Sequence, residues 1–333
     1  MKLARFVDLA DFTREEVLDL LALAARLQSQ PQPQALAGRI LGLVFLNPSL
    51  RTLASFQAGM ARLGGTSFVI TPGQGTWQLE TRVGVPMNGV AAEHIREGMP
   101  VLASYCDGLG IRAFAEGRDL AVDLAETTFK AMAALVDKPL INMESAVNHP
   151  CQALADWKTL DDAAVPPRAK FVLSWVMHPR ALPLAVPAAV LHMAALRGHE
   201  VVVARPEGYA LPAAIMDKAR AAARASGGSV SETADRDAAL NGAHVLYAKE
   251  WGATSAYGDA ARDAELRAPF ADWQVRESWF ARGAPGCHFM HCLPVRRNVA
   301  VADEVLDGPR SLVLREAHNR LVAQMAVLHR LLA

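Results

Sequence analysis

The sequence predicts an α/β protein with two doubly wound domains, each built on a parallel sheet, and an active-site cleft between them. Short apolar runs alternate with amphipathic segments along the chain, as they do when helices cover both faces of parallel sheets. The length of 333 residues exceeds what one hydrophobic core usually serves. A helix-like stretch, ALADWKTLDDA, ends near the prolines of residues 165–167, before a new strand begins. We therefore expect two α/β units joined by a connecting helix.

Eight apolar runs are too short for helices and are predicted to be strands. In chain order they are RILGLVFL, TSFVIT, DGLGIRAF, PLINM, KFVLSWV, HEVVVA, AHVLYA and CHFMH. RTLASFQAGMARLG and AAIMDKARAAARASGG have apolar residues at helical spacing and close with glycine, as helices often do. The longer run LPLAVPAAVLHMAAL contains two prolines and predicts a loop followed by a buried helix. Ligands of such sheets bind beyond the carboxyl ends of the strands, which makes the residues there the candidates for function.

The charge balance limits the possible partners. Lys plus Arg and Asp plus Glu each total 34, so no global field attracts nucleic acid or an anionic membrane surface. The N-terminal residues lack the apolar core and cleavage site of a signal peptide. Four cysteines are too few for a disulfide framework and fit no common zinc pattern. We expect a soluble protein of the reducing cytoplasm in which any anion site is local.

The segment after the first long strand predicts an anion site. Residues 47–52 read Asn-Pro-Ser-Leu-Arg-Thr. Ser49 would cap the next helix, whose free backbone N–H groups would lie beside the guanidinium of Arg51. The alternative is a capped helix with a solvated arginine.

A second polar cluster follows the next two predicted strands of this half. Arg112 ends the third run, and the fourth leads through Glu144 to His149 and Gln152. His149 can donate to a carbonyl oxygen, and Gln152, three residues later, can reach an amide from the same helical turn. The alternative for His149 is a hydrogen-bonded polar residue before a helix.

The sequence supports neither a nucleotide-binding glycine loop nor a metal site nor a cysteine nucleophile. Neither G-x-x-x-x-G-K-[ST] nor G-x-G-x-x-G occurs in the chain. CHFMHC holds four potential metal ligands in six residues, but alternation along a strand sends Cys287 and His288 to opposite faces. Cys292 as a nucleophile lacks an unambiguous base with an orienting partner. We predict neither a metal nor an organic cofactor.

Three motifs together resemble the aspartate/ornithine carbamoyltransferase superfamily. They are S-x-R-T after the first long strand, H-P-x-Q near the domain junction and H-C-L-P late in the chain. Their order and spacing match over nearly the whole sequence. FLNPSLRT, PGQGTW, INMES, AKEWG and HCLPVRRNV are most similar to the N-acetylornithine branch, with the N-succinylornithine branch as near relative. The Ser-Met-Gly loop of the ordinary ornithine enzymes is not found.

The resemblance implies an activity and a domain plan. The enzyme would transfer the carbamoyl group of carbamoyl phosphate to the δ-amine of N-acetyl-L-ornithine, giving N-acetyl-L-citrulline and phosphate in arginine biosynthesis. Residues 1–146 would bind carbamoyl phosphate, with a C-terminal helix at about 318–333 packing back on them, and residues 147–317 would bind the acylated amino acid. The assembly would be a homotrimer with active sites shared between subunits.

The resemblance also implies the site residues. The catalytic residues would be Arg51, Thr52, Arg112, His149 and Cys292. Carbamoyl phosphate would contact Ser49, Leu50, Arg51, Thr52, Arg112, His149, Gln152, Arg320, the backbone carbonyls of Cys292 and Leu293, and Trp77 of a neighbouring subunit. The acylornithine would contact Glu144, His178, Lys249 and Leu293. Such donors suit the reaction, because a developing oxyanion and a departing phosphate must both be stabilised.

Two departures from the branch pattern leave the acceptor open. Ala300 follows R-R-N-V where the pattern has lysine, and residues 89–92 are small and apolar where it is acidic. N-succinylornithine or another amine is therefore an alternative acceptor. A catalytically silent anion-binding relative, with a structural or regulatory role, is the alternative of a different class.

Several single residues also have a simpler interpretation. Trp77 could be a buried loop anchor, Lys249 a surface cation and Glu144 a helix cap. A site role for His178 stays equally open.

Overall fold

The structure is a computed structural model that describes residues 3–333. The chain divides into two compact units. Unit 1 comprises the residues up to Glu116, Ala121–Cys151 and Arg320–Ala333, and unit 2 comprises Gly117–Leu120 and Gln152–Asn319. Each unit contains a five-stranded sheet in which all strands are parallel. The predicted α/β class with two parallel-sheet domains is confirmed.

The sheet of unit 1 has the strand order β1-β7-β6-β2-β3. Its strands are β1 Arg5–Phe6, β2 Ile40–Phe45, β3 Thr66–Ile70, β6 Gly108–Arg112 and β7 Leu140–Glu144, and a separate parallel pair consists of β4 Gln78–Glu80 and β5 Ala91–His94. The helices up to residue 133 are α1 Arg14–Ser29, α2 Leu50–Arg62, α3 Ile95–Ser104, α4 Leu120–Leu124 and α5 Thr127–Ala133, with a 3₁₀ helix at Leu9–Asp11. The central strands β6 and β7 are buried along their whole length.

Close packing in unit 1 leaves no room for a side chain at Gly42 and brings the last helix of the chain against α2 at Gly59. A Cβ atom on Gly42 would lie 2.6 Å from Leu109 Cδ1, closer than two carbon atoms can approach. Helix α12, Val313–Leu332, is amphipathic. Its later turns pack against α2, where Leu328 and Met325 lie beside Gly59.

The sheet of unit 2 has the strand order β10-β9-β8-β11-β12. Its strands are β8 Lys170–Trp175, β9 Glu200–Ala204, β10 Ser229–Thr233, β11 Val245–Lys249 and β12 His288–Met290. The remaining helices are α6 Pro150–Asp162, α7 Ala185–Arg197, α8 Ala213–Ser226, α9 Arg236–Leu240, α10 Ala260–Arg267 and α11 Asp303–Leu306, with 3₁₀ helices at Thr254–Ala256, Ala268–Phe270 and Glu277–Arg282.

All eight predicted strands are present, and four others were missed. The missed strands β1, β4, β5 and β10 have between two and five residues, and most of them are polar. The run with two prolines forms a loop and then the buried helix α7, as predicted. Pro187 lies in the first turn of α7, where its missing N–H costs no helical hydrogen bond. Within residues 3–333, no helix combines the length and the apolar character needed to cross a membrane.

Candidate active site

The start of α2 forms a capped helix N-terminus in unit 1. Ser49 is the N-cap in extended conformation, and its Oγ accepts a hydrogen bond from Thr52 N at 3.3 Å. The same hydroxyl donates to Thr52 Oγ1 at 3.0 Å. Leu50 points into solvent and is 81% exposed, so this first turn is open to a ligand. The first N–H groups of a helix favour an anion here.

Arg320 connects the C-terminal helix to this turn. Its Nη2 donates to Thr52 Oγ1 at 2.6 Å, and both side chains are buried. Its buried Nε has no hydrogen-bond partner among the described residues. A buried donor of this kind is ordinarily satisfied, so the position suits a bound acceptor.

Arg112 and Glu144 end the neighbouring strands β6 and β7 and face each other in register. Arg112 Nη1 lies 2.5 Å from Glu144 Oε2, and its guanidinium stacks over the ring of Phe114 at 4.4 Å. The same Glu144 oxygen lies 3.4 Å from His149 Nε2. Glu144 thus pairs with a cation at the strand end, and the helix-cap interpretation is wrong.

His149 is surrounded by positive charge. Burial first, and then the guanidinium groups of Arg320, Arg112 and Arg51, lower the pKa of His149 well below its ordinary value. The imidazole is therefore neutral at physiological pH and carries a single N–H donor. Burial and the neighbouring charges of Arg112 and Arg51 likewise lower the pKa of Arg320. A buried site with this excess of cations stabilises an anion.

A carboxylate that the sequence did not indicate holds the loop before His149. Buried Glu126 accepts hydrogen bonds from Ser145 Oγ, from Val147 N at 3.2 Å and from Asn148 Nδ2 at 3.1 Å. These bonds bridge 19 to 22 residues, which is why no local pattern reveals them. Glu126 is a scaffold residue for the turn that presents His149.

Lys249 ends β11 in unit 2 and lies against a second acid that the sequence did not indicate. Its Nζ is 3.1 Å from Glu250 Oε1, and both side chains are buried. The other oxygen of Glu250 lies 3.4 Å from His291 Nε2. Burial opposes ionisation of Glu250, but Lys249 and His291 together lower its pKa. Lys249 is therefore a buried cation, and the surface-cation interpretation is wrong.

The H-C-L-P segment forms a tight turn after β12. His291 Nδ1 accepts from Leu293 N at 3.0 Å, Leu293 has a φ of 52°, and the peptide bond to Pro294 is cis. Cys292 is buried, and burial raises the pKa of its thiol to about 12. The thiol is therefore protonated at neutral pH, which disfavours a thiolate nucleophile at this position.

His178 and Trp77 have contrasting surroundings. His178 Nδ1 lies 2.9 Å from Arg180 O and 3.2 Å from Arg180 N, so its tautomer decides whether it donates to the carbonyl or accepts from the N–H. Burial lowers the pKa of the ring, which keeps it neutral. Its charged neighbours include Glu250 and Lys249. Trp77 is 60% exposed, so the buried-anchor interpretation is wrong. Its Nε1 donates to Glu93 Oε2 at 2.7 Å.

Gln152 has its two polar ends in different environments. Its Nε2 donates to Asp156 Oδ1 at 2.7 Å and to Glu316 Oε1 at 3.1 Å. Its Oε1 is buried and accepts no hydrogen bond within residues 3–333. The spacing of Gln152 and Asp156, i and i+4 on α6, was the available signal for the first contact. Glu316 is remote in sequence and gave none.

Within the described part of the chain, no three His, Cys, Asp or Glu side chains are arranged to hold a metal ion. The four candidate ligands of CHFMHC do not converge. His291 faces Glu250, whereas His288 precedes it on β12 and is partly exposed.

Two family models match the chain. The model for the carbamoyl-P binding domain of aspartate/ornithine carbamoyltransferase matches residues 5–162, and the model for the Asp/Orn binding domain matches residues 186–331. Together they cover most of the sequence.

Similar proteins span nearly the full length. The N-acetylornithine carbamoyltransferase of Xanthomonas campestris is 37% identical over 98% of this chain and 97% of its own length. The N-succinylornithine carbamoyltransferase of Bacteroides thetaiotaomicron is 36% identical over 88% of this chain and 87% of its own. The ornithine carbamoyltransferase of Listeria monocytogenes is 30% identical over 97% of this chain and 93% of its own.

Solved structures agree with the sequence relatives. An acetylornithine transcarbamylase complexed with acetylcitrulline superposes with a TM-score of 0.95 at 37% identity, covering 99% of this chain and 100% of that one. Variants of N-acetyl-L-ornithine transcarbamylase in which a glutamate is replaced by proline or alanine match equally well, and were solved with carbamyl phosphate and N-succinyl-L-norvaline. This chain belongs to the aspartate/ornithine carbamoyltransferase family.

Proposed function

We propose that the protein transfers the carbamoyl group of carbamoyl phosphate to the δ-amine of N-acetyl-L-ornithine, giving N-acetyl-L-citrulline and phosphate, as a step of arginine biosynthesis. The observation that carries this proposal is the buried His149, whose pKa is lowered by burial and by the nearby charges of Arg320, Arg112 and Arg51. The 37% identity to N-acetylornithine carbamoyltransferases over nearly the whole chain supports the choice of acceptor.

Unit 1 supplies the charge for the phosphate. Arg51, with Ser49, Leu50 and Thr52 in the first turn of α2, would bind the phosphate oxygens. Arg112 and Arg320 carry buried guanidinium nitrogens without partners in the described chain, and these would bind the remaining oxygens. Charge-assisted hydrogen bonds in a site with little water are the strongest available for this task.

The reaction depends more on hydrogen-bond donors that stabilise developing negative charge than on a protein base that takes the proton of the amine. The lone pair of the δ-amine attacks the carbonyl carbon, the C–O bond to phosphate breaks, and the bond electrons leave with the phosphate. His149 would donate its one N–H to the carbonyl oxygen as negative charge develops there. The amine must lose a proton. We propose the departing phosphate as acceptor, because the Cys292 thiol, with a pKa of about 12, already holds its proton.

The acceptor substrate would lie against Glu144, His178, Lys249 and Leu293. Lys249 is a buried cation and suits the carboxylate of an acylated amino acid. Holding two substrates in reacting geometry supplies much of the rate enhancement of such a transfer and needs no cofactor.

We propose a cytoplasmic homotrimer in which Trp77 contributes to the site of the neighbouring subunit. The segment around Trp77 carries several apolar side chains in solvent, which is unusual for a surface that stays uncovered. Trp77, Val83, Met87 and Val90 are between 43% and 84% exposed.

N-succinylornithine is the second candidate acceptor. Val90 and Ala92 are exposed and uncharged just before Glu93, next to the strand that follows Trp77. In the relatives with N-succinyl-L-norvaline, a glutamate had been replaced by proline, alanine, serine or valine. Removing a carboxylate removes repulsion of the succinyl carboxylate.

One assay tests both candidates. Product formation that depends on carbamoyl phosphate is measured with ornithine, N-acetylornithine and N-succinylornithine at equal concentrations. Arg51→Ala protein serves as the background control. Preference for the acetyl compound supports the first candidate, and preference for the succinyl compound the second. If ornithine is turned over faster than either acylated compound, both candidates are refuted. If none of the three is turned over, the silent anion-binding relative is favoured.

A further inference from the structure

Beneath Gln152 lies a buried acid pair, Asp156 and Glu316, that the proposed reaction does not use directly. Both carboxyl groups are fully buried. Tyr247 hydroxyl lies 3.2 Å from Asp156 Oδ2 and 3.1 Å from Glu316 Oε1. The backbone N–H of His291 donates to Glu316 Oε2 at 3.0 Å. The pair is thus held by α6, β11 and the turn after β12.

The geometry fixes the orientation of the Gln152 carboxamide. One atom of that amide lies 2.7 Å from an Asp156 oxygen and 3.1 Å from a Glu316 oxygen. Only the NH2 group can face two carboxyl oxygens, since it has two donors and the amide oxygen has none. The amide oxygen therefore faces the other way, where it is buried and accepts nothing from the described residues.

We propose that Asp156 and Glu316 share one proton and act together as positioning residues, which hold the Gln152 oxygen ready to accept a hydrogen bond from the NH2 group of carbamoyl phosphate. The inference rests on the proposed function and deepens it: it concerns how the site distinguishes a carbamoyl group from an acyl group that lacks the NH2. Acetyl phosphate, with a methyl group at that position, offers no donor to Gln152.

The charges around the pair support one shared proton. Two adjacent buried carboxyl groups cannot both ionise without a large penalty. Burial first, then the negative charge of Asp156 and a hydrogen bond with it, raise the pKa of Glu316 well above its ordinary value. Burial and the same two acids also raise the pKa of Tyr247. Cys292, another titratable neighbour, has its pKa raised to about 12 and therefore adds no charge beside the pair at neutral pH.

The test compares binding of carbamoyl phosphate and acetyl phosphate by calorimetry. Gln152→Ala, Asp156→Ala and the double variant form a double-mutant cycle, with Asp161→Asn on the exposed side of α6 as control. A hydrogen bond to a buried acceptor is worth roughly 5- to 10-fold in affinity. We expect Asp156→Ala to lower affinity for carbamoyl phosphate by about that factor, to leave acetyl phosphate binding unchanged, and to add nothing once Gln152 is alanine.

Three results would overturn the proposal. Equal losses for both ligands, or a further loss in the Gln152→Ala background, would make Asp156 merely structural. If Asp156→Ala does not fold, Glu316→Gln replaces it. This variant mimics the protonated acid, so the proposal requires it to retain the preference for carbamoyl phosphate. Loss of that preference is the third result that would overturn the proposal.

The shared proton has a readout that needs no ligand. Infrared spectra of the wild-type protein at neutral pH should contain a protonated-carboxyl band that shifts in D2O and is missing from Glu316→Gln. Absence of this band refutes the acid pair. If the wild type binds neither phosphate compound, the proposed function and the ligand part of this inference fail, while the infrared band still decides the shared proton.

Discussion

The two units surround their key polar side chains with opposite charge. In unit 1, His149 is buried among the guanidinium groups of Arg51, Arg112 and Arg320. In unit 2, Gln152 lies against the acids Asp156 and Glu316. Both arrangements are buried, and each of the two key side chains has one polar atom without a partner in residues 3–333, Nδ1 of His149 and Oε1 of Gln152.

The difference shows two uses of buried charge. In unit 1 the cations outnumber the one carboxylate among them, Glu144, and in the proposed function a bound phosphate would balance the excess. In unit 2 the acids are satisfied internally by Gln152, Tyr247 and the His291 N–H, and they orient a neutral group. Substitutions in unit 1 should therefore act on catalysis through lost charge, and those in unit 2 through lost orientation.

The largest effect is expected from Arg51→Ala. Removing one charged donor of a preorganised anion site costs roughly 10²- to 10³-fold in turnover. The side chain is only partly buried at the first turn of α2, so the melting temperature should change little. Arg62→Ala, in the last turn of the same helix and exposed, is the matched control and should keep its activity. Near-normal turnover of Arg51→Ala would remove it from the site.

Trp77→Ala should have the next largest effect and tests whether subunits share sites. Truncating a buried aromatic contact at an interface costs about 2 kcal/mol or more, or roughly thirtyfold. Trp77 is 60% exposed within one chain, so this cost arises only if a neighbouring subunit covers it. Mixed oligomers of Trp77→Ala and Arg51→Ala subunits should regain part of the activity. If verified mixed oligomers stay inactive, each site belongs to one chain.

The sequence predicted the fold well because the buried strands are strongly apolar. β2, β6, β8, β9 and β11 stand out as short runs between helical patterns. The strands it missed are polar edge or peripheral strands, such as SVSET in β10, whose pairing depends on a neighbour rather than on their own residues.

The sequence indicated some residues of the candidate site and missed others. Arg51 and Thr52 follow a helix cap in one contiguous motif, and Arg112 ends a recognisable strand. Glu126, Glu250 and Glu316 are single acids without a local pattern, because the groups that they hold come from other parts of the chain. A contiguous motif is visible in the sequence, whereas an acid whose partners come from distant parts of the chain is not.

Val90→Glu should alter acyl preference by a smaller amount. Val90 is 84% exposed beside the strand β5 that pairs with β4. A carboxylate there would repel the free carboxylate of a succinyl group but not an acetyl group, and a like-charge contact of about 1.4 kcal/mol changes a ratio roughly tenfold. The ratio of succinyl to acetyl turnover should fall, with Val83→Glu on the same exposed surface as control. An unchanged ratio would exclude residue 90 from acyl selection.

The smallest effect is expected from Cys292→Ser, which separates the backbone of the H-C-L-P turn from its thiol. Burial raises the pKa of Cys292 to about 12, so the thiol is neutral at pH 7 and neither attacks a substrate nor accepts a proton. Serine is close to cysteine in size and keeps the backbone carbonyl, so turnover should stay within about threefold of the wild type, a change of about 0.65 kcal/mol in the activation barrier. The folded wild-type protein should also resist alkylation at Cys292 by iodoacetamide, measured by peptide mass spectrometry, and react once denatured. Rapid alkylation of the folded protein that abolishes activity in proportion would instead show a functional thiolate, and the turn after β12 would then contribute more to the chemistry than its backbone.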